Sequence, residues 1–328
     1  MGHAGRRTAR TPLLEPLSDD PIRLVDIGAR GGVDPRWNRL HPYLDVLGFE
    51  PDPSECERLN ARAGELPYRS RFLPYALGRE VGEVTFHVCR WPVASSVFEP
   101  NPDLFEDFPH AADLMAVTER RRMATVPLDD VLGDEQVTPD CLKIDVEGAE
   151  LDVLRGSETA LAGTLVLDVE VELEPLLRGQ PLFGDVDRHL RDRGWRLLGL
   201  KRVAWRRTAG RSPHTTGHGG QVVSADALYF NGEALRRGLP ASRALKFAAI
   251  MAAYRQHDFA LSVLRRPPLT ALDAVQRTSL EAALIPSATA LQRIAMRATR
   301  RLDSERRRRI ADALHGGEAT VRQDAHHF

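Results

Sequence analysis

The chain has 328 residues, 42% of them hydrophobic and 28% charged, an ordinary composition for a soluble globular protein with one large domain and an appendage. Its 45 basic and 46 acidic residues give a formal net charge of -1, so bulk charge gives no reason to expect a nucleic-acid partner. Three widely separated cysteines have no metal-ligand spacing, and the lack of an apolar leader or of a run of about 20 apolar residues predicts a cytoplasmic protein without a transmembrane segment.

In chain order, the pattern begins with alternating strands and helices. Residues 23–28 form a short apolar run before a glycine-rich turn, which predicts a buried strand. Asp34 can cap a helix that runs to about residue 44. A second strand at 46–50 and a helix at 53–60 follow. Strand, helix, strand, helix is the βαβ pattern of a parallel sheet.

The middle of the chain is less regular. Residues 71–76 fit a third strand, and the alternation at 83–88 predicts an exposed antiparallel hairpin laid onto the sheet. Residues 92–124 contain several prolines and are expected to be irregular and partly helical, forming either a lid or a surface insertion. A strand at 141–145 precedes a helix that ends near Gly156.

The last part of the predicted sheet comes from residues up to 230. The β-branched run 164–171 is the most strand-like stretch of the chain, and a helix at 185–193 follows it. Strands at 195–200 and 227–230 complete the sheet, separated by a polar loop at 208–220. The predicted fold class is therefore α/β, a doubly wound, mostly parallel seven-stranded sheet with a helical C-terminal appendage.

Three regions are expected: a flexible N-terminal segment (1–21), an α/β domain (22–234) and a helical extension (235–328). In the extension, Ala, Leu and Arg recur at helical spacing and strand patterns are absent. Its arginine run 306–309 could contact phosphates or an anionic membrane, but the interspersed acids favour a solvated helix face. The extension could also mediate oligomerisation or a protein contact.

The glycine-rich turn after the first strand reads Val25-Asp-Ile-Gly-Ala-Arg-Gly-Gly32. Arg30 stands where the dinucleotide fingerprint demands glycine, which disfavours a nicotinamide site. The acid Asp26, followed by Gly28 and Gly31, suits the amino-acid end of S-adenosylmethionine, whose ammonium binds carboxylates and carbonyls. A plain tight turn is the alternative.

Glu50 closes the second strand 22 residues after Gly28. A carboxylate at this place can accept hydrogen bonds from both ribose hydroxyls of a nucleoside. A solvated loop acid is the alternative, and the Pro51-Asp-Pro53 sequence that follows favours the binding role.

A third motif, Leu142-Lys-Ile-Asp-Val-Glu-Gly148, places Lys143, Asp145 and Glu147 at alternate positions where a strand ends. Ligands of open parallel sheets bind at the carboxyl ends of the strands. The alternative is that Lys143 pairs with Asp145 or Glu170 as a buried salt bridge, but burying such a pair seldom adds stability, which favours a functional role.

Taken together, these motifs resemble the FkbM-type family of class I S-adenosylmethionine-dependent methyltransferases over residues 22–232. The matching stretches are Asp26-Ile-Gly-Ala29 to Gly32, Gly48-Phe-Glu-Pro51, Ala76-Leu-Gly78, Ala94-Ser-Ser96, Leu128-Asp-Asp130, Lys143-Ile-Asp-Val-Glu-Gly148 to Gly156, Val169-Glu-Val171 and Leu228-Tyr-Phe230. The resemblance implies O-methyl transfer to hydroxyls of sugars or secondary metabolites. Motifs and resemblance together predict that the cofactor is bound by Asp26, Gly28, Ala29, Gly31, Glu50, Pro51, Ala76, Leu77 and Asp145.

Methyl transfer to a hydroxyl needs alignment and a group that accepts the hydroxyl proton. Asp145, Glu147 and Glu170 are candidates for the base, and crowding of these acids should raise at least one of their pKa values. The hypothesis is that Asp145 is the base or positions the hydroxyl, with Lys143 orienting it. A divalent metal bridging Asp145 and Glu170 would suit magnesium chemistry but is not favoured, so no metal ligand is predicted.

Other residues are weaker candidates. His87 is expected on the surface of the hairpin, His110 cannot be placed, and Ser95 and Ser96 are expected near the cleft with local hydrogen bonds. Two other function classes stay open. One is a methyltransferase-fold scaffold without turnover, and the other, disfavoured by Arg30, is a nicotinamide-dependent sugar-modifying enzyme.

Overall fold

A computed structural model describes residues 14–207, 214–215, 220–272 and 274–284. The strands, in chain order, are β1 (Ile22–Ile27), β2 (Leu44–Phe49), β3 (Arg69–Leu73), β4 (Ala76–Leu77), β5 (Gly82–Cys89), β6 (Val117–Val126), β7 (Cys141–Ile144), β8 (Val166–Glu172), β9 (Trp195–Trp205), β10 (His214–Thr215) and β11 (Gln221–Asn231). The α-helices are α1 (Pro16–Asp19), α2 (Pro53–Ala63), α3 (Pro102–Phe105), α4 (Pro109–Leu114), α5 (Leu128–Glu135), α6 (Glu150–Arg155), α7 (Glu158–Gly163), α8 (Phe183–Arg191), α9 (Gly232–Arg237), α10 (Ala241–Ala253), α11 (His257–Leu264) and α12 (Ala274–Leu284). In the described ranges, 3-10 helices occupy Pro35–Tyr43, Pro92–Ala94 and Leu269–Ala271.

The main sheet has the strand order β10-β9-β11-β8-β7-β1-β2-β3. β1 pairs in parallel with β2 and β7, and the parallel pairing continues to β3 on one side and to β8 on the other. β11 is antiparallel to both of its neighbours, β8 and β9. This confirms the predicted doubly wound, mostly parallel sheet of seven strands, to which the two-residue β10 adds an edge. From β1 the chain adds β2 and β3 on one side of the sheet and then returns to add β7 on the other side of β1. Folds of this kind bind ligands at the carboxyl ends of the two strands where the strand order reverses, here β1 and β7.

The two faces of the sheet bury separate hydrophobic clusters because alternate strand residues point to opposite sides. Leu24 and Cys141 lie in the first cluster, with α10, α11 and the 3-10 helix Pro35–Tyr43. Val25 and Leu142, one residue further along, lie in the second, with α5, α6, α7 and α8. The sheet therefore has helices on both faces.

The C-terminal helices belong to the core of the sheet. The side chains of Phe247, Ile250 and Met251 on α10 are fully buried in the same cluster as the β-strand residues Leu24 and Cys141. The segment expected to be an appendage thus supplies, through α10, one helical layer of the α/β unit. The arginine run 306–309 lies outside the described residues, as does most of the predicted loop at 208–220.

The structure differs from the expected N-terminal segment in residues 14–21. Leu14 and Leu17 are buried in the first cluster, and 16–19 form the short helix α1. Apolar side chains that reach the core fix this stretch, so the prediction of flexibility was wrong for these residues. Residues 1–13 lie outside the described part of the chain.

A second, three-stranded sheet has the order β4-β6-β5, with β5 antiparallel to β6. The antiparallel pairing of 83–88 was expected, but its partner β6 lies in the region 92–124 that was expected to be irregular. That expectation was wrong for β6. Its residues Glu119, Arg120, Arg121 and Arg122 are all exposed and charged, so the sequence does not alternate between apolar and polar residues as a half-buried strand does. The remainder of the region holds α3, α4 and a 3-10 helix, as partly helical structure was expected there.

No helix in the described ranges is long and apolar enough to cross a membrane.

Candidate active site

A row of charged side chains crosses three neighbouring strands near their carboxyl ends. The strand register sets Asp26 of β1 beside Lys143 of β7, and Lys143 beside Asp168 of β8. Two residues earlier on the same face, Leu24 and Cys141 are buried against the C-terminal helices. This face of the sheet therefore changes from apolar to charged where the strands end, which is the expected place for a ligand site.

Lys143 is the centre of this row. Its Nζ donates a 2.9 Å hydrogen bond to the carbonyl oxygen of Gly28 and lies 3.4 Å from Asp26 Oδ1 and 3.2 Å from Asp145 Oδ2. Burial alone would lower the pKa of Lys143, but the carboxylates of Asp26 and Asp145 outweigh it and raise that pKa. Lys143 is thus held as a cation that pairs with Asp145, as one sequence interpretation expected, and with Asp26 in place of Glu170.

The turn after β1 depends on glycine at Gly28. This residue has φ of +79°, and a Cβ built on it would lie 1.7 Å from the carbonyl oxygen of Asp145. The backbone N–H groups of Gly28 and Ala29 both donate to the carbonyl oxygen of Phe49 at 3.0 Å. Gly31 has φ of +85° with open space around it. The turn is therefore fixed against β2 and β7 at one end and open at the other.

Glu50 follows β2 and is only 3% exposed. Its Oε1 accepts a 2.9 Å hydrogen bond from the N–H of Asp52, and a guanidinium nitrogen of Arg30 lies 3.4 Å away. Burial raises the pKa of Glu50, and these two partners oppose the rise. Arg30, which the sequence analysis used only to disfavour a nicotinamide site, also lies 3.3 Å from Asp52 and so bridges the two acids.

Three acids converge beyond the row. Asp145, Glu147 and Glu170 each place one carboxylate oxygen within 4.8 Å of the others. Glu170 Oε2 is buried and has no hydrogen-bond partner among the described residues. The pKa values of Glu147 and Glu170 are both raised well above the ordinary value, first by burial and then by the charge of Asp145. A raised pKa was expected from crowding, but the larger cause is burial.

Two further buried acids surround this cluster and were missed by the sequence analysis. Glu150 accepts hydrogen bonds from the backbone N–H groups of Val146 at 2.9 Å and Gly148 at 3.2 Å, and burial raises its pKa to about 7. Glu172 is 4% exposed, and burial also raises its pKa well above the ordinary value. Glu150 was recognisable as the acid three residues after Glu147 in the conspicuous motif.

The loop after β7 has a strained backbone that local contacts hold in place. Glu147 has φ of +57°, and Gly148, which follows it, has φ of +101°. The Ser96 hydroxyl donates a 2.6 Å hydrogen bond to the carbonyl oxygen of Glu147, and the Ser95 hydroxyl accepts one of 3.0 Å from the N–H of Cys89. The local hydrogen bonding expected for Ser95 and Ser96 is thus observed.

A cavity of about 320 Å³ opens at the carboxyl ends of these strands. Of the predicted site residues, it is lined by Asp26, Gly28, Lys143, Asp145 and Glu170. The lining also contains residues that the sequence analysis did not single out for a role, namely Arg36, Trp37, Asp168, Lys201, Asp226 and Tyr254. Asp168 could have been found because it alternates with Glu170 along β8, whereas Tyr254 comes from a distant helix and carries no local signal.

The other predicted residues lie outside this lining. Ala29, Gly31, Glu50 and Pro51 belong to the turns at the ends of β1 and β2. Ala76 and Leu77 form the two-residue strand β4, and the Leu77 side chain is packed in the second hydrophobic cluster.

The two candidate histidines are also outside the lining. His87 is half-buried on β5 and exchanges backbone hydrogen bonds of 2.7 and 3.2 Å with Ser96. The ring of His110 packs edge-on against Phe108 and Trp205, with ring centroids 6.2 and 5.3 Å away.

Comparison with known proteins gives matches to methyltransferases. The family model described as the methyltransferase FkbM domain matches residues 26–197, just over half of the chain. A 2-O-methyltransferase NoeI from Sinorhizobium fredii is 30% identical over 170 residues, which are 49% of this chain and 67% of that protein. A hexuronic acid methyltransferase AglP from Haloferax volcanii is 27% identical over 168 residues, 48% of this chain and 59% of its own length, so the chain spans less than two thirds of that relative. Among solved structures, a precorrin-6y C5,15-methyltransferase from Geobacter metallireducens aligns with a TM-score of 0.34 and 11% identity over 70% of this chain and 94% of its own.

Proposed function

The chain belongs to the FkbM methyltransferase family, and from this premise we propose that it transfers a methyl group from S-adenosylmethionine to a hydroxyl group of a sugar. The observation that carries the proposal is the position of Asp145. Its side chain is 42% exposed, lines the cavity and lies 3.2 Å from the ammonium of Lys143. A carboxylate so held can accept a proton from a bound hydroxyl. Both named relatives are described as methyltransferases, one of a 2-O position and one of a hexuronic acid.

The residues around the first two strands fit S-adenosylmethionine. The turn at Gly28 lets a ligand approach the backbone, and Gly31 leaves open space where another residue would place a Cβ. The carboxylate of Asp26, in the same row as Lys143, is positioned to bind the ligand's ammonium group. Glu50, a buried carboxylate one strand over, can accept hydrogen bonds from the ribose hydroxyls. Ala29, Pro51, Ala76 and Leu77 complete the proposed cofactor set.

When bound, the sulfonium of S-adenosylmethionine supplies an electrophilic methyl group. Asp145 accepts the proton of the acceptor hydroxyl as the new carbon–oxygen bond forms and the carbon–sulfur bond breaks. Lys143 orients Asp145, because its ammonium is itself held by Gly28 and Asp26. Alignment of acceptor oxygen, methyl carbon and sulfur supplies much of the rate of such a displacement.

Glu147 and Glu170 have a different role in this proposal. Because their pKa values are raised, these two side chains stay protonated to a higher pH than an exposed glutamic acid does. In the protonated form each can donate a hydrogen bond to the acceptor or to Asp145. Oxygen ligands of this kind also suit magnesium, but no step of the proposed reaction depends on a metal, and His87 and His110 are not needed.

Methyl-transfer assays on the purified protein test the proposal. We expect S-adenosylhomocysteine to bind in calorimetric titration and NAD to show no binding. We expect label from methyl-labelled S-adenosylmethionine to enter at least one methyl glycoside from a panel of neutral hexosides, 6-deoxyhexosides and hexuronosides. Binding of S-adenosylhomocysteine without labelling of any glycoside would contradict the acceptor class and leave the scaffold alternative. Failure to bind it would contradict the whole proposal.

A further inference from the structure

Tyr254 reaches the candidate active site from outside the region that defines the family. It follows directly after α10, whereas the family match ends at residue 197. Even so, Tyr254 lines the same cavity as Asp145 and Glu170. A side chain from the C-terminal helices is therefore part of the wall of the proposed reaction site.

Tyr254 is joined to the charged row through Arg36 and Asp168. Arg36 places a guanidinium nitrogen 2.8 Å from Asp168 Oδ2, and its guanidinium carbon lies 4.7 Å from the centre of the Tyr254 ring. The phenol of Tyr254 also interacts with Asp168, whose charge adds to burial, the larger cause, in raising the pKa of Tyr254. Trp37 packs edge-on against the same ring, with centroids 5.7 Å apart. The ring of Tyr254 thus packs against Arg36, and its phenol interacts with Asp168, the other member of the ion pair.

Two features fix the helix that carries Tyr254. Lys246, 2% exposed, places its Nζ 3.0 Å from Asp140 Oδ2 and 2.7 Å from Asp20 Oδ1. Phe247 and Met251 are fully buried against the sheet. Because α10 is held by both charge and packing, Tyr254 is positioned before any ligand binds.

The cavity has two differently composed sides. Gly28, Asp26 and Lys143 belong to the proposed cofactor side. On the opposite side, the pair of Arg36 with Asp168 is matched by a second pair, in which Lys201 Nζ lies 2.7 Å from Asp226 Oδ2. Each pair offers both hydrogen-bond donors and acceptors, which is what the hydroxyl groups of a sugar ring require.

The charges of the lining disfavour an anionic acceptor. Six acidic and four basic side chains line the cavity, and the cations Arg36, Lys143 and Lys201 each already face at least one carboxylate. A further carboxylate on the acceptor would find no unpaired cation among these three and would meet the charge of Asp145 and Asp226. Neutral hydroxyl groups would meet no such repulsion.

We propose that Tyr254 is a positioning residue of an acceptor subsite, formed with the pairs Arg36–Asp168 and Lys201–Asp226, that takes a neutral, hydroxyl-rich sugar ring. This assignment rests on the proposed function. It gives the C-terminal helices a part in choosing the acceptor, because they fix the ion pair that faces the sugar.

Steady-state kinetics of the full chain with a neutral methyl hexoside and the matching methyl hexuronoside test the assignment. We expect the wild-type protein to favour the neutral glycoside in kcat/KM at least about tenfold. In Tyr254→Phe, the ring beneath Arg36 stays and only the hydroxyl is lost. We expect KM for the neutral glycoside to rise about tenfold, with kcat changed less than about threefold and the affinity for S-adenosylhomocysteine within about twofold, since loss of one polar interaction with a charged group has roughly this effect. Asp226→Asn should reduce the preference for the neutral glycoside, because it removes one negative charge and leaves Lys201 unpaired.

Tyr229→Phe is the matched control. Its hydroxyl donates a 3.0 Å hydrogen bond to a carboxylate oxygen, Asp187 Oδ1, on the opposite face of the sheet, and neither residue lines the cavity. This variant should keep the wild-type KM for the glycoside. An unchanged KM in Tyr254→Phe, or a wild-type preference for the hexuronoside, would overturn the subsite while leaving methyl transfer intact. If the wild-type protein methylates no glycoside, the proposed function fails and the subsite fails with it.

Discussion

The ammonium of Lys143 donates a 2.9 Å hydrogen bond to the backbone carbonyl oxygen of Gly28, so a lysine on β7 is attached to the glycine turn after β1. The same ammonium lies 3.2 Å from Asp145. One cation thus connects the turn proposed to hold the cofactor with the carboxylate proposed to accept the hydroxyl proton. Because the two groups meet at one ammonium, single variants that change only one of them separate proton transfer from cofactor binding.

Replacing Asp145 by Asn removes the proposed proton acceptor but keeps the shape of the side chain. We expect kcat to fall by about 10² to 10⁴, the usual contribution of a general base, with S-adenosylhomocysteine affinity within about threefold of the wild-type value. Single-turnover transfer of labelled methyl and calorimetric titration measure the two quantities. Asp152→Asn is the control, since the side chain of Asp152 on α6 is 43% exposed, pairs with Arg155 and does not line the cavity. Wild-type turnover in Asp145→Asn would refute the assignment.

Replacing Glu50 by Ala should act on cofactor binding. We expect the affinity for S-adenosylhomocysteine to fall about 10- to 100-fold, because one or two hydrogen bonds from ribose hydroxyls to a buried carboxylate are lost. Calorimetric titration is again the measurement. Glu57→Ala, at an exposed position of α2, serves as the control and should bind normally. If both variants bind equally well, the ribose of the ligand is held elsewhere.

Only part of the site had local signals in the sequence. Asp145, Glu147 and Glu170 were recognisable because alternate residues at the ends of neighbouring parallel strands face one cleft, and the structure brings them together. The contact of Tyr254 with Arg36 had no such signal, since it depends on α10 packing against the sheet. The spacing of residues within one segment can predict which side chains a strand directs to the same face of the sheet. Contacts between distant segments depend instead on how whole helices and strands pack together.

The same distinction applies to the fold. The order of strands and helices around β1, β2, β7 and β8 followed from apolar runs punctuated by glycine and proline. β6 was not predicted because charged residues that face solvent occupy consecutive positions, and the two-residue alternation of apolar and polar side chains is absent. The packing of α10 on the sheet was missed because helical periodicity alone does not show which surface a helix covers.

Gly28→Ala should destabilise the protein and abolish cofactor binding. The new Cβ would lie 1.7 Å from the carbonyl oxygen of Asp145, so the turn and the loop after β7 must separate. Gly31→Ala has a similarly positive φ but open space, and it should cost only about 1–2 kcal/mol of unfolding free energy. Urea unfolding of both variants measures the difference. Equal losses of stability would mean that backbone strain, and not the contact with Asp145, makes glycine necessary at position 28.

Lys246→Ala should destabilise the protein strongly. It leaves Asp140, 5% exposed, without the ammonium that neutralises it, and breaking a buried ion pair in this way costs about 3–5 kcal/mol. Lys201→Ala breaks an ion pair whose lysine side chain is 76% exposed and should cost no more than about 1 kcal/mol. Urea unfolding compares them. A loss below about 1 kcal/mol in Lys246→Ala would show that apolar packing alone holds α10 on the sheet.

Glu150 should make the stability of the protein fall as the pH rises toward neutrality. Burial raises the pKa of this carboxyl to about 7 in the folded protein, while the unfolded chain keeps the ordinary value of 4.5. Between these two values the folded state binds more of the proton than the unfolded state does. The free energy of unfolding therefore decreases with rising pH in this window, by at most about 1.4 kcal/mol per pH unit for one group, and is constant below pH 4.5 as far as Glu150 is concerned.

Glu150→Gln removes this titration and can still accept the hydrogen bonds from Val146 and Gly148. We expect the unfolding free energy of the variant to decline less steeply than that of the wild-type protein between pH 5 and 7, so that the variant gains stability relative to the wild type as the pH rises. Urea unfolding at half-unit pH steps measures both slopes, and the slope is compared because the new amide can change the absolute stability. Glu57→Gln, exposed on α2, should follow the wild-type slope. Parallel curves for Glu150→Gln and the wild type would mean that Glu150 is ionised in the folded protein throughout this range.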